Sequence, residues 1–165
     1  MKKVIFLFGL CTSLTILISC GNQNGTAPAS TTTTDNEKPK SMVADAASYD
    51  PKRGEGKYSA DNVKIAEKLD AAMATNGEKI AGTKCMSCHK TTAEKLVGPG
   101  WEGVTKRRTP YWIMNFITNP DPMIDKDPEV QAQLELCLVR MPNQNLEDND
   151  ARSIVEYMRK IDGVK

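Results

Sequence analysis

Residues 85–90 read CMSCHK, and they contain the only histidine of this 165-residue chain. That residue, His89, directly follows a Cys-x-x-Cys pair made by Cys85 and Cys88. Residues three and four apart lie on the same face of a helical turn, so both thiols and the imidazole are expected on one side. We therefore expect a fold that presents these three side chains to a common ligand.

This order of cysteine and histidine is the attachment signature of a c-type haem, in which two thioether bonds hold the porphyrin edge while the imidazole reaches the iron. A structural zinc site is a weaker alternative, because it needs four ligands and only Cys137 could join the set once Cys11 and Cys20 are assigned to the export signal described below. Thioredoxin-like thiol chemistry would need a βαβ context, and no alternating strand pattern is present. The sequence predicts one covalent haem c, with His89 as a ligand of its iron.

Composition excludes several other classes of protein. The formal net charge is +1, which is too small to suggest a nucleic-acid-binding protein. There is no glycine-rich phosphate loop, and no Ser/His/Asp set is apparent because the only histidine belongs to the CMSCHK motif.

The N-terminus has the pattern of an export signal. Lys2 and Lys3 precede an apolar run that ends in LISC at residues 17–20, which resembles a bacterial lipobox. We predict a lipoprotein signal peptide over residues 1–19 and lipidation of Cys20, which places the protein on the periplasmic side of a bacterial membrane. An ordinary secretory signal with an incidental cysteine is the alternative. Gly21 is not an inner-membrane retention aspartate, so the outer membrane is favoured.

The chain after the signal divides into a linker and a helical domain. Residues 21–48 have almost no large apolar side chains and cannot bury enough surface to fold, so residues 20–58 are predicted to be a lipid-anchored flexible linker. Residues 59–165 are predicted to be an all-α domain with an extra N-terminal helix. Apolar spacing, capping residues and prolines predict its helices over 59–74, from Thr75 into the cysteine pair, over 111–118, from Asp127 onwards, and over 148–161.

From about residue 76 to 165 the sequence resembles class I c-type cytochromes. The segments that carry the resemblance are GEKIAGTKCMSCHK (77–90), LVGPGWEGV (96–104), FITNP (116–120), RMPNQNL (140–146) and IVEYMRKI (154–161). The resemblance implies a small helical domain around one haem, in which Gly77 packs against Tyr157. The sequence departs from the family at Ala81, where an aromatic is usual, and in an inserted helix over residues 125–139.

The same resemblance implies the residues around the haem. Met141 would be the second axial ligand, with Met123 as the next candidate. The Pro99 carbonyl would accept a hydrogen bond from His89, and Trp101 would pack on the haem ring. Arg107 would approach a haem propionate, although a solvated surface arginine is the alternative. Cys137 is expected to be a small core residue.

Ligation by histidine and methionine leaves no open iron position, which favours electron transfer over catalysis. We therefore predict a monomeric, membrane-tethered electron shuttle that is not an enzyme. It would carry electrons from a quinol-oxidising complex to a terminal reductase, such as nitrous oxide reductase, or to an oxidase. Six cations against two glutamates over residues 84–108 predict a basic rim that attracts an acidic partner. A gas-binding sensor or peroxidase-like haem protein, with a displaceable sixth ligand, is the alternative.

Overall fold

The structure is a computed structural model that describes residues 49–165. The predicted signal peptide, Cys20 and the linker up to residue 48 lie outside the described residues. The described part has no β-strand, and none of its helices is long and apolar enough to cross a membrane. Its helices are α1 (Ala71–Lys84), α2 (Val104–Arg107), α3 (Pro110–Thr118), α4 (Pro120–Lys126), α5 (Pro128–Cys137) and α6 (Asp148–Ile161).

The first and last helices form the centre of the fold. A Cβ atom at Gly77 of α1 would lie only 2.0 Å from the backbone oxygen of Ser153 on α6, so the two helices can approach this closely only because residue 77 is glycine. The three atoms nearest to such a Cβ belong to the backbone of Ser153 and Ile154, and the packing of Gly77 against Tyr157 that the family resemblance implies stays a prediction. Ala81, where the family usually has an aromatic, is completely buried.

Local signals predicted α3, α5 and α6 correctly. The buried side chain of Asp127 accepts hydrogen bonds from the backbone nitrogens of Glu129 and Val130, which caps α5 as expected. The short helix α4 was not predicted, because the proline after Asn119 was interpreted only as the signal that ends α3. Pro120 instead occupies the first position of α4, where a backbone N–H is not needed.

The predicted helix over residues 59–74 is wrong. The segment 59–70 has no helix, and α1 begins at Ala71 with Asp70 as its cap. Two backbone carbonyls of the segment, those of Ala66 and Glu67, accept hydrogen bonds from Arg159 of α6. The segment is held by a partly buried tertiary contact rather than by its own helical hydrogen bonds, so its apolar spacing was misleading.

The boundary between linker and domain also differs from the prediction. Tyr58 is buried, and the amide side chain of Asn115 on α3 hydrogen-bonds the backbone of Arg53 and Tyr58. The hydroxyl of Tyr49 donates to Asp127. Residues 49–58, assigned to the linker from sequence, therefore pack on the helical domain.

Candidate functional site

The cysteine–histidine motif lies on a single turn of chain that follows α1. The backbone nitrogens of Cys88 and His89 both lie 3.0 Å from the carbonyl oxygen of Cys85 and donate to it. All three side chains line one cavity of about 520 Å³. Burial raises the pKa of the Cys85 thiol to about 11, with a smaller opposing effect from Lys84. The structure thus brings the three predicted residues to a common space.

The cavity has the character of a site for a large flat cofactor. Its volume falls within the roughly 300–1,000 Å³ typical of ligand sites. Apolar side chains from five helices, α2 to α6, make most of its walls, among them Val104, Trp112, Phe116, Ile124, Val130, Leu134 and Ile154. An apolar chamber with two thiols and one imidazole at its wall fits a haem attached at that wall.

His89 is held in place by the loop that follows it. Its Nδ1 atom lies 2.8 Å from the carbonyl oxygen of Pro99, which is the contact that the family resemblance implies. A proton on Nδ1 leaves Nε2 free to bind a metal, and the hydrogen bond fixes the ring. A Cβ atom at Gly98 would lie 2.4 Å from His89 Cε1, so this loop can lie against the imidazole only because residue 98 is glycine. The segment 96–104 was recognised from the sequence, but the requirement for glycine at position 98 was not.

Trp101 is buried beside the same imidazole. The two ring centroids are 5.7 Å apart with an interplanar angle of 40°, and Trp101 also lines the cavity. The edge of Tyr157 from α6 approaches Trp101 with centroids 6.3 Å apart. Trp101 therefore links the histidine side of the cavity to the last helix.

The two candidate methionines lie in very different places. Met141 is half-buried in the loop before α6 and lines the cavity. Met123 is completely buried, packs beneath Gly54, and is absent from the cavity wall. Met158 of α6 is buried and also lines the cavity. This geometry favours Met141 over Met123, and its role as iron ligand stays a prediction.

The arginine predicted at the propionates has a neighbour that is better integrated into the cavity wall. Arg107 lines the cavity but is exposed, and its guanidinium donates to the backbone oxygen of Glu102. The side chain of Arg108 is only 16% exposed, lies 4.3 Å above the ring of Trp112 and pairs with Glu129. The family resemblance assigns the propionate contact to Arg107, and this assignment stays a prediction because both arginines line the cavity.

The cavity mouth is the exposed part of the lining formed by Val97, Val139 and Arg140. Charge at the mouth and near the haem motif is more balanced than the sequence predicts, because carboxylates pair with Arg140, with Arg108 of the cavity wall and with Lys90, which follows His89. Within residues 49–165 the exposed large apolar side chains are Leu96, Val97, Leu136, Leu138 and Val139. Val97 and Val139 line the cavity, and Lys95 Nζ donates to the Leu136 carbonyl oxygen at 2.9 Å, which joins the two apolar segments. The mouth therefore combines apolar side chains with paired charges.

Cys137 is half-buried at the end of α5 and lines the cavity, so it is less enclosed than the core residue that sequence analysis expected. In the part of the chain that the structure describes, no three His, Cys, Asp or Glu side chains are grouped to hold a metal ion. Cys137 accordingly does not join the haem motif in a common cluster.

This architecture is shared with known proteins. The family model for cytochrome c matches residues 74–162, more than half of the chain. A solved cytochrome c from Rhodothermus marinus is 35% identical with a TM-score of 0.60, over 64% of this chain and 90% of that one. An engineered form of the Rhodothermus marinus protein is 34% identical with a TM-score of 0.59, over the same shares.

A third structure, the engineered form bound to a carbene intermediate, is 35% identical with a TM-score of 0.57 over the same shares of the two chains. A search of curated proteins found no match. The family match confirms the resemblance and the all-α fold predicted from sequence. The chain therefore belongs to the cytochrome c family, so its cofactor is a covalent haem c and its chemistry is haem-based electron transfer.

Proposed function

We propose that this protein is a membrane-tethered, mono-haem electron shuttle with histidine–methionine ligation. The observation that carries the proposal is that His89 and Met141 both line the one cavity into which Cys85 and Cys88 also face. The thiols are available for the two thioether bonds, and His89 Nε2 is free because Nδ1 bonds Pro99. Bound in this cavity, haem c supplies reversible one-electron oxidation and reduction at its iron.

The protein residues have distinct tasks in this function. The hydrogen bond to the Pro99 carbonyl would make the imidazole a stronger electron-pair donor to the iron. It would also hold the ring in one orientation when the charge of the iron changes. The thioether of Met141 is a soft ligand that favours the reduced iron and so raises the potential. Apolar walls from α3, α5 and α6 exclude water. Few solvent molecules then have to reorient when the charge at the site changes. Two protein ligands leave no iron position for a substrate.

Partners are proposed to dock at the cavity mouth, where electrons have the shortest route to the cofactor. The donor would be a quinol-oxidising complex, and the acceptor a terminal reductase, such as nitrous oxide reductase, or an oxidase. A lipid on Cys20 would confine the domain to a layer at the membrane, with the outer membrane favoured, and would raise the effective concentration of its partners. The domain is proposed to act as a monomer.

A second candidate function is a gas-binding or peroxidase-like haem protein. Two observations favour it: Met141 lies in a loop without helix, and an engineered relative is described as bound to a carbene intermediate. This function requires that Met141 leave the iron readily.

Absorption spectroscopy of the purified holoprotein tests the two candidates. The shuttle is expected to show a low-spin spectrum with a sulfur-to-iron charge-transfer band, and to bind carbon monoxide slowly. Met141→Ala should abolish the band, lower the potential and speed carbon monoxide binding while the haem stays covalently attached. Met123→Ala is the matched control and should retain the band. A wild-type protein that lacks the band and binds carbon monoxide quickly would support the second candidate.

A further inference from the structure

The loop that carries Met141 is almost unsupported by its own backbone. Residues 139–146 contain no helix, and none of them takes part in a backbone–backbone hydrogen bond. Their apolar contribution to the domain is limited to the partly buried side chains of Met141 and Leu146, with Val139 largely exposed. A loop of this kind needs other ties to hold one side chain in a fixed position.

Arg140, the residue directly before Met141, provides one such tie. Its Nη2 atom lies 3.1 Å from Asp121 Oδ1, and both terminal nitrogens lie 3.2 Å from Asp125 Oδ1. The two aspartates are four residues apart on α4, so they share one face and would repel each other without the cation between them. Buried Met123 and Ile124 fix α4 in the core. Arg140 therefore ties the loop to a rigid element.

Lys84 provides a second tie on the other side of Met141. Its Nζ atom donates to the carbonyl oxygen of Gln144 at 2.8 Å. Lys84 is the last residue of α1 and the direct neighbour of Cys85, so this bond connects the loop to the haem-attachment turn. The two cationic side chains thus hold the loop at points one residue before and three residues after the methionine.

We propose that Arg140, bound to Asp121 and Asp125, is a positioning residue that holds Met141 over the cavity, with Lys84 as the second tie. This inference rests on the proposed function, in which Met141 is the sixth ligand. Exposed ion pairs are individually weak, but a loop without backbone support has little else to oppose its opening. The ion pairs would then set how often the sulfur leaves the iron, and with it the balance between electron shuttle and ligand-binding protein.

Imidazole binding to the ferric holoprotein measures this opening directly. At saturating imidazole the observed rate reaches the rate at which Met141 leaves, so the limiting rate reports the loop. Arg140→Gln is expected to raise that limiting rate about three- to tenfold, the effect of losing two exposed ion pairs. Asp121→Asn combined with Asp125→Asn should have the same effect, and Arg140→Lys should restore most of the wild-type rate. Sodium chloride should speed the wild-type reaction but leave Arg140→Gln nearly unchanged.

Lys160→Gln is the matched control. It removes the ion pair between Lys160 and Glu78, which joins α1 to α6 away from the loop. The two side chains of this pair are about as exposed as that of Arg140. Its limiting rate should equal that of the wild type. Equal acceleration by the control and by Arg140→Gln would overturn the proposal, because it would indicate a general loss of stability. The absence of any salt effect on the wild type would overturn it too.

The same measurements separate this inference from the proposed function. If Met141→Ala abolishes the charge-transfer band while Arg140→Gln leaves the limiting rate unchanged, the ligand assignment stands and the positioning role is wrong. If the wild-type protein has no such band, the ligand assignment itself fails and the positioning role fails with it. Should Arg140→Gln not accumulate as holoprotein, the double aspartate variant provides the same test from the other side of the ion pairs.

Discussion

The indole nitrogen of Trp112 donates to the carboxylate of Asp127 at 3.0 Å, and neither residue is exposed. Trp112 forms part of the cavity wall from α3, whereas Asp127 caps the inserted helix α5. The hydroxyl of Tyr49 donates to the same carboxylate, so that burial and this bond raise the pKa of Tyr49. One buried aspartate thus joins the cavity wall, the insertion and the segment that follows the linker.

Replacement of Asp127 by alanine should therefore be strongly destabilising. It would leave four donors without their acceptor, namely the indole, the hydroxyl and two backbone nitrogens of α5. Each buried unsatisfied group costs about 1–3 kcal/mol, so the free energy of unfolding should fall by about 3 kcal/mol or more. Denaturant unfolding of the holoprotein measures this. The exposed Asp61 serves as control, and an Asp61→Ala protein as unstable as Asp127→Ala would contradict the argument.

Two glycines on the same helix should respond in opposite directions to alanine. Gly77→Ala places a methyl group against the backbone of Ser153 and should force α1 and α6 apart, with a loss of about 1–3 kcal/mol or more. A Cβ atom at Gly82 would meet nothing within 4 Å, so Gly82→Ala should gain about 0.5–1 kcal/mol from better helix propensity. Thermal unfolding of the two variants is the measurement. Similar shifts of the same sign would show that the close helix crossing is not important.

Docking should depend on only part of the basic rim predicted from the sequence. Lys90 already pairs with Glu94, whereas Lys95 donates to a backbone carbonyl and makes no ion pair with any carboxylate among residues 49–165. Lys95→Gln should therefore slow electron transfer to a carboxylate-terminated electrode surface more than Lys90→Gln does, and the difference should shrink at high salt. Voltammetry of the holoprotein over a range of ionic strength measures both rates. If Lys95→Gln and Lys90→Gln slow electron transfer equally, the ion pair between Lys90 and Glu94 does not determine which charges a partner encounters.

Lipidation at Cys20 is tested by whether the protein is found in the membrane or the soluble fraction, not by its haem spectrum. Cys20→Ser should release the domain into the soluble fraction, because a stable anchor needs the acyl chains that the thiol would carry. The haem spectrum should remain unchanged, since the domain described by the structure begins far beyond this residue. A variant that stays with the membrane would point to an uncleaved signal segment as the anchor.

The sequence by itself determined those features that depend on neighbouring residues. The spacing in CMSCHK predicted two thiols and an imidazole on one turn, and the hydrogen bonds from the backbone nitrogens of Cys88 and His89 to the Cys85 carbonyl form that turn locally. Asp127 followed by Pro128 starts a helix for similarly local reasons, and the amphipathic pattern of residues 148–161 reproduces α6 from end to end.

Only the tertiary structure decided the features that depend on distant partners. Arg159 donates to the carbonyl oxygens of Ala66 and Glu67, more than ninety residues away in sequence, in the segment 59–70 that the sequence predicted to be helical and that has no helix. Arg108 is far less exposed than Arg107 because its guanidinium lies over the ring of Trp112 and pairs with Glu129. A hydrogen bond or ion pair between distant segments leaves no periodic trace in either one, so its partner becomes known only when the chain has folded.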